Sequence, residues 1–128
     1  FNGISEIKTL NKICDEDLIL DIGPKTIQNI SKIIKISKTV FWNGPAGYFE
    51  NENFAKGSSQ IAKMIGDQTK NNSIYSVIGG GDTIAMINKS EGMKNFNFVS
   101  TAGGAFLEYL EGKELPGIKA LNWYVRTK

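Results

Sequence analysis

Four short apolar runs alternate with segments of helical periodicity along this chain, and this alternation constrains the fold more than any other feature. Between the first two runs, Ile27, Ile30, Ile33 and Ile34 recur at helical spacing. Strands that alternate with helices are typical of an α/β domain with a largely parallel sheet. The apolar runs, which we predict to be strands, are Leu18–Ile22, Thr39–Trp42, Ser73–Ile78 and Phe96–Val99.

A predicted helix follows each predicted strand. The second of these helices would bury Phe54, Ile61, Met64 and Ile65 on one face. A turn at Leu115–Gly117 precedes a last short helical segment. The first four helices are expected around Ile27–Ile34, from about Asn53 to Asp67, from Asp82 to Ser90, and from the Ser100–Gly104 loop through Glu111.

Each predicted strand ends in a loop that is rich in glycine, proline or small polar residues. The carboxyl ends of parallel strands meet at one edge of a sheet, and ligands bind there. We therefore expect residues that are far apart in the sequence to converge in space. The loops in question are Gly23-Pro24, Asn43–Gly47, Gly79–Gly81 and Ser100–Gly104.

The triple glycine Gly79–Gly81 follows an apolar strand, and Asp82 and Thr83 then open a helix. Residues without side chains leave backbone N–H groups exposed at a helix start, where the helix dipole favours negative charge. A carboxylate beside such a phosphate cradle suits Mg²⁺, which binds phosphates through one or two carboxylates and several waters. The alternative is a tight turn in which Asp82 only caps the helix.

The two standard nucleotide-binding motifs are absent. A P-loop requires Ser or Thr after Gly-Lys, whereas Gly112-Lys113 is followed by Glu114. A dinucleotide fingerprint built on Gly79 and Gly81 would need a small residue where Ile84 stands, and an acidic one near Thr101. The triple glycine therefore belongs to another scheme.

Composition excludes several classes of function. A formal net charge of +2 gives no support for binding to nucleic acid or to a membrane surface. The chain has no histidine, which excludes an imidazole base or a histidine-ligated metal within it, and a single cysteine excludes a thiolate zinc cluster. With only Cys14, no internal disulfide, no signal-peptide pattern and no membrane-length apolar run, we expect a cytoplasmic protein.

A series of loops in this order closely resembles the signature loops of phosphoglycerate kinase. One such motif is weak support, but this many in the family's order are specific. The resemblance runs from about Asp17 to Leu121 and concerns the last third of that family, the C-terminal part of its nucleotide-binding domain. The matching segments are Leu20–Pro24, Trp42–Glu50, Gly79–Thr83, Ser100–Ala105, Leu107-Glu108 and Leu110–Gly117.

The resemblance implies a partial, Rossmann-like, three-layer nucleotide-binding domain and a role for each matching residue. Leu20 and Pro45 would form the walls of an adenine pocket, and Glu50 would accept hydrogen bonds from the ribose. Ordinary strand-end packing and a solvated charge are the alternatives for Leu20 and Glu50. Asp82 would be the ligand of Mg²⁺. The residues implied to contact the nucleotide phosphates are Asn43, Gly80, Gly81 and Thr83. The residues that would face the phosphoryl group during transfer are Gly80, Gly81, Gly103 and Gly104.

Other interpretations stay open for two of these groups. Asn43 could instead cap a helix or form an Asx-turn. Gly103 and Gly104 could serve close packing of helix on sheet. Ala102 departs from the family, which carries glycine there, and its methyl group is tolerable only at a negative φ.

The implied reaction is reversible phosphoryl transfer between Mg-ATP and the carboxylate of 3-phosphoglycerate, which gives 1,3-bisphosphoglycerate and Mg-ADP. The attacking carboxylate is already an anion, so the absence of histidine is compatible with this chemistry. In the family, 3-phosphoglycerate binds a basic pocket on the other domain. We therefore expect this chain to be inactive alone, and a full-length family member to be monomeric, with no nucleic-acid or membrane partner.

The domain division that we predict is 1–121 for the nucleotide-binding portion and 122–128 for a tail without a family counterpart or an assigned role. Phe1, Ile4 and Ile7 indicate an apolar N-terminal edge. Two rival functions remain: a redox protein that binds a dinucleotide, disfavoured by the failed fingerprint, and a non-catalytic nucleotide-binding remnant of a decayed or split gene. Competition between ADP and NAD tests the first rival.

Overall fold

The computed structural model describes residues 5–126 and is an α/β fold built on a parallel sheet of three strands, in the order β1-β2-β3. The strands are β1 (Thr39–Asn43), β2 (Tyr75–Gly79) and β3 (Phe98–Ser100). The helices are α1 (Pro24–Ile36), α2 (Lys56–Lys70), α3 (Gly81–Ser90), α4 (Gly103–Leu110) and α5 (Pro116–Arg126). Single 3₁₀ turns lie at Leu10–Lys12, Glu52–Phe54 and Met93–Asn95.

The core lies between one face of the sheet and the helices α1, α2 and α3. Ile65 of α2, Ile78 of β2 and Ile87 of α3 are each buried to 1% exposure or less. These helices form because their apolar residues recur on one face, and burying that face supplies most of a helix's stability in a protein. The α/β prediction is confirmed.

The opposite face of the sheet carries α4. The Phe106 ring packs edge-on against Phe41, with ring centroids 5.5 Å apart, and lies 6.0 Å from Phe98. Phe41 and Phe98 share a face because the register pairs Phe41 with Val77 and Val77 with Phe98. α4 therefore adds a third layer next to the carboxyl end of β3.

The predicted first strand, Leu18–Ile22, is wrong. This segment joins no ladder within residues 5–126, and Leu18 and Ile19 are exposed. A strand exists only where a neighbour pairs with it, and sequence periodicity does not report whether that neighbour is there. The segment is held instead by an isolated hydrogen bond of 2.8 Å from the Tyr48 amide to the Leu20 carbonyl.

Other elements have the predicted type with shifted bounds. The second helix begins at Lys56 because Glu52–Phe54 forms a separate 3₁₀ turn, capped by the Asn51 side chain. The last predicted strand begins at Phe98, since Phe96 closes the 3₁₀ turn before it. The Asn97 side chain accepts a hydrogen bond from the Ser76 amide at 2.8 Å.

The end of the chain is more helical than predicted. Pro116 is not in a free turn but is the first residue of α5, a position that proline favours because it has no N–H to satisfy. The helix continues to Arg126, so most of the predicted tail is helical, and residues 127–128 lie outside the described part. Phe1 and Ile4 also lie outside it, and Ile7 is exposed. Across residues 5–126, no helix is long and apolar enough to cross a bilayer.

Candidate functional site

The loops after the three strands begin at the same edge of the sheet. The parallel register pairs Asn43 at the end of β1 with Gly79 at the end of β2, and Gly79 with Ser100 at the end of β3. The turns that follow Trp42, Ile78 and Val99 therefore lie side by side. This convergence was predicted for four loops, and the register confirms it for these three, since the segment before Gly23-Pro24 is not a strand.

The triple glycine forms the turn between β2 and α3. Gly80 has a φ of +89°, which favours glycine, and it is the N-cap residue of α3. Its carbonyl accepts the first helical hydrogen bond, from the Ile84 amide at 3.1 Å. The amides of Gly81 and Asp82 precede that bond, and nothing in residues 5–126 accepts a hydrogen bond from them. Two N–H groups at the positive end of a helix dipole are thus available to an anion.

The Asn43 side chain lies directly over this turn. A Cβ atom added to Gly79 would lie 2.7 Å from Asn43 Oδ1, and one added to Gly80 would lie 3.0 Å from the same oxygen. Both distances are shorter than ordinary van der Waals contact, so a side chain at either position would require the Asn43 side chain to move. Asn43 and the glycine turn form a single packed unit.

Thr83 joins the β1 loop to α3. Its side chain is fully buried, and its hydroxyl oxygen accepts a hydrogen bond of 2.7 Å from the Gly44 amide, 39 positions away in the sequence. Gly44 itself has a φ of +100°, a conformation that favours glycine. The hydroxyl therefore fixes the loop after β1 against the start of α3.

Asp82 has the surroundings that a magnesium ligand needs. It is exposed in the first turn of α3, and its carboxylate has no hydrogen-bond or ion-pair partner among the described residues. That part of the chain contains no group of three or more Cys, Asp or Glu side chains placed to hold a metal. The donor set therefore suits Mg²⁺ held by one carboxylate, phosphate oxygens and water, rather than a metal caged by protein.

A cavity of about 280 Å³ lies between residues 19–22 and residues 45–48. Leu20 and Pro45 stand on its two walls, as the adenine-pocket assignment requires. The volume is near the lower end of the roughly 300–1,000 Å³ that is usual for small-molecule pockets. The structure therefore brings these two predicted residues together beside one cavity.

The other residues predicted for the nucleotide site, Glu50, Gly103 and Gly104, do not line this cavity. Glu50 is exposed and does not line the cavity, although it follows the cavity residue Tyr48 by two positions. Gly103 begins α4 with a φ of +51°, and Gly104 is exposed beside it. Ala102 has a φ of −74°, so its methyl group meets the condition set by the sequence.

Two side chains that hold the cavity had no predicted role. The Ser58 hydroxyl accepts a hydrogen bond from the Ala46 amide at 2.9 Å, and the Asp21 carboxylate accepts one from the Gly57 amide at 2.8 Å. The partners are 12 and 36 positions apart. Local patterns could not reveal such contacts, although Asp21 stands within a loop that the sequence had singled out.

Comparisons of the sequence and of the structure with known proteins all match this chain to phosphoglycerate kinases. The sequence profile described as phosphoglycerate kinase matches residues 2–113. A phosphoglycerate kinase of Zymomonas mobilis subsp. mobilis is 49% identical over 124 residues, which cover 95% of this chain and 31% of the relative. One of Orientia tsutsugamushi (strain Ikeda) is 56% identical over 103 residues, which cover 80% of this chain and 25% of the relative.

A solved structure agrees with the sequence relatives. The structure of phosphoglycerate kinase from Coxiella burnetii matches with a TM-score of 0.77 and 41% identity, over 88% of this chain and 28% of that one. The chain thus spans about a quarter to a third of the length of these proteins. The profile match extends over most of the chain and includes every loop at the shared sheet edge, so this chain belongs to the phosphoglycerate kinase family.

Proposed function

We propose that this chain supplies the Mg-nucleotide-binding half of a phosphoglycerate kinase. The reaction is reversible phosphoryl transfer between ATP and the carboxylate of 3-phosphoglycerate, a step of glycolysis and gluconeogenesis. The observation that carries the proposal is the meeting of Asn43, the amides of Gly81 and Asp82, and the free Asp82 carboxylate on one sheet edge. An anion and its metal fit that arrangement.

The nucleoside and the phosphates bind at neighbouring parts of this edge. Leu20 and Pro45 enclose the adenine in the cavity between their loops, and Glu50 accepts hydrogen bonds from the ribose hydroxyls. The phosphate contacts come from Asn43, Gly80 and Gly81, while the buried Thr83 holds the loop after β1 beside them, and Asp82 holds the Mg²⁺ of Mg-ATP or Mg-ADP.

The chain's own groups contribute to transfer by positioning and by neutralising charge. Phosphoryl transfer needs little else from a protein, because negative charge is spread over the equatorial oxygens as the group moves. The amides of Gly81 and Asp82, and those where Gly103 and Gly104 open α4, are preorganised donors for that charge. Magnesium adds further neutralisation when it is bound. No base is required, since the attacking carboxylate is already ionised.

We place the binding of 3-phosphoglycerate in the family's other domain, as the resemblance implies, and this chain matches only a quarter to a third of the length of its relatives. We therefore propose that the chain binds nucleotide but does not turn over alone. The single cysteine, Cys14, is exposed and free, which suits a reducing compartment such as the cytoplasm.

Two variants that each remove one carboxylate charge, compared with and without Mg²⁺, test the proposal. The affinity for ADP is measured by calorimetry with Mg²⁺ and again with a chelator, in the wild-type chain, in Asp82→Asn and in Glu50→Gln. Asp82→Asn is expected to abolish most of the gain in affinity that Mg²⁺ brings, while affinity in chelator changes little. Glu50→Gln is expected to weaken ADP equally in both conditions.

The two variants serve as controls for each other, because each removes one exposed carboxylate. If Asp82→Asn loses the same factor with and without metal, Asp82 is not the magnesium ligand. If the wild-type chain binds no ADP in either condition, the nucleotide-binding assignment is wrong.

A further inference from the structure

Residues 19–22 form one wall of the cavity although they belong to no sheet in the described chain. A wall without strand partners must be held by separate contacts. One is the hydrogen bond of 2.8 Å from the Tyr48 amide to the Leu20 carbonyl. The others are made by the Asp21 carboxylate, which follows the wall residue Leu20 directly.

The Asp21 carboxylate connects this wall to α2. Its Oδ2 accepts a hydrogen bond of 2.8 Å from the Gly57 amide, and its Oδ1 accepts one of 2.8 Å from the Ile22 amide. Gly57 is the second residue of α2, a helix whose own N-cap residue Ala55 makes no side-chain cap and whose first turn has no acidic residue. Asp21 thus supplies, from 36 positions away, the carboxylate that the start of α2 lacks.

Two glycines leave room for that carboxylate. A Cβ atom at Gly57 would lie 2.4 Å from Asp21 Oδ1, and one at Gly47 would lie 2.5 Å from the same oxygen. Gly47 lies on the opposite wall of the cavity. The carboxylate is therefore packed against both the second wall and the helix behind it.

We propose that Asp21 is a positioning residue for the nucleoside: by bonding to Gly57 and packing against Gly47, it sets the separation of Leu20 from Pro45. This inference rests on the proposed nucleotide-binding function and adds to it a residue with no contact of its own to the ligand. The expected effect is limited to the nucleoside, because Asp21 makes its contacts at the cavity and not at the glycine turn after β2. Loss of the carboxylate should therefore weaken recognition of the base and leave recognition of phosphate intact.

The test uses Asp21→Asn, which keeps the shape of the side chain and removes the charge and one acceptor. Affinities for ADP and for pyrophosphate, both with Mg²⁺, are measured by calorimetry. ADP binding is expected to weaken about tenfold, the scale of one charge-assisted hydrogen bond, while pyrophosphate changes less than about twofold. A merely structural defect that lowers the folded fraction would weaken both ligands by the same factor.

Asp17→Asn is the matched control. Asp17 also pairs its carboxylate with a backbone amide, that of Cys14 at 2.8 Å, and in addition with Lys8, but it does not line the cavity. We expect this variant to bind ADP like the wild type. Equal weakening in the two variants, or equal weakening of ADP and pyrophosphate in Asp21→Asn, overturns the inference while the proposed nucleotide site stands.

A second measurement needs no variant. In the wild-type chain, ADP should slow hydrogen exchange at the amides of Gly57 and Tyr48, whereas pyrophosphate should not. Unchanged exchange at both amides on saturation with ADP contradicts a linkage between Asp21 and the cavity. A wild-type chain that binds pyrophosphate but not ADP contradicts both this inference and the assignment of the adenine pocket.

Discussion

Replacement of Thr83 by valine should separate the loop after β1 from the start of α3. Valine has nearly the same shape as threonine, so the buried site stays filled and no cavity arises. The change removes the oxygen that accepts the hydrogen bond from the Gly44 amide at 2.7 Å. That amide is then left without its partner in a partly buried place, which is more costly than the absence of both groups.

The size of the effect can be worked from the structure. An unsatisfied amide of this kind lowers the free energy of unfolding by about 2 kcal/mol. The unfolding entropy is about 2.1 cal/mol/K per residue, or about 270 cal/mol/K for a chain of 128 residues. The melting temperature of Thr83→Val should therefore fall by about 7 °C. Since the loop carries Asn43 and Pro45 to the nucleotide, ADP affinity should fall as well, by about tenfold.

Thr69→Val provides a matched comparison in circular-dichroism melts and ADP titrations. Thr69 is also buried, and its hydroxyl lies 2.8 Å from the Ile65 carbonyl oxygen and 2.9 Å from the Ser76 hydroxyl, away from the strand-end loops. This variant should lose comparable stability yet bind ADP normally at a temperature where it is folded. If Thr83→Val melts lower but binds ADP as tightly as the wild type, the hydrogen bond to Gly44 does not position the loop.

Two further predictions concern acid stability and activity. The Cys14 amide and Lys8 hold the pKa of Asp17 below its ordinary value of 3.8. The contribution of Asp17 to stability is therefore present above pH 3.8 and is lost as the pH falls through the lowered pKa. The urea concentration at the unfolding midpoint should fall across this acidic range, and it should fall less in Asp17→Asn. The purified chain should show no turnover in a coupled phosphoglycerate kinase assay at concentrations where it binds ADP, and measurable turnover would overturn the assignment of 3-phosphoglycerate binding to other parts of the family.

The parts of the fold that depend on local periodicity were predictable. Ile27 and Ile34 of α1 and Ile61 and Ile65 of α2 are buried as their periodicity predicts, although Ile33 of α1 is exposed, and the structure has both helices. The convergence of Asn43 with Gly79 also followed, because parallel strands place their carboxyl ends at one edge. These inferences need only the order and type of the elements.

Features that depend on distant partners were not predictable. Leu18–Ile22 has the composition of a strand, but pairing is a property of two segments, and no strand of the described chain pairs with it. The contacts of Thr83 with Gly44 and of Asp21 with Gly57 likewise join residues 39 and 36 positions apart. The sequence predicted Asp82 and the glycines as site residues, whereas the contacts made by the Thr83 and Asp21 side chains emerged only from packing.

The oxygen of Asn43 above the glycine turn has a consequence for how this edge can change over time. A methyl group at position 79 or 80 would require the Asn43 side chain to move, and at position 80 the φ of +89° favours glycine whatever residue stands at 43. Variation at 43 and at 79 is therefore coupled, because a side chain at 79 fits more easily once the asparagine oxygen has moved or been replaced. A library that diversifies these two positions together, with glycine kept at 80, tests this coupling directly.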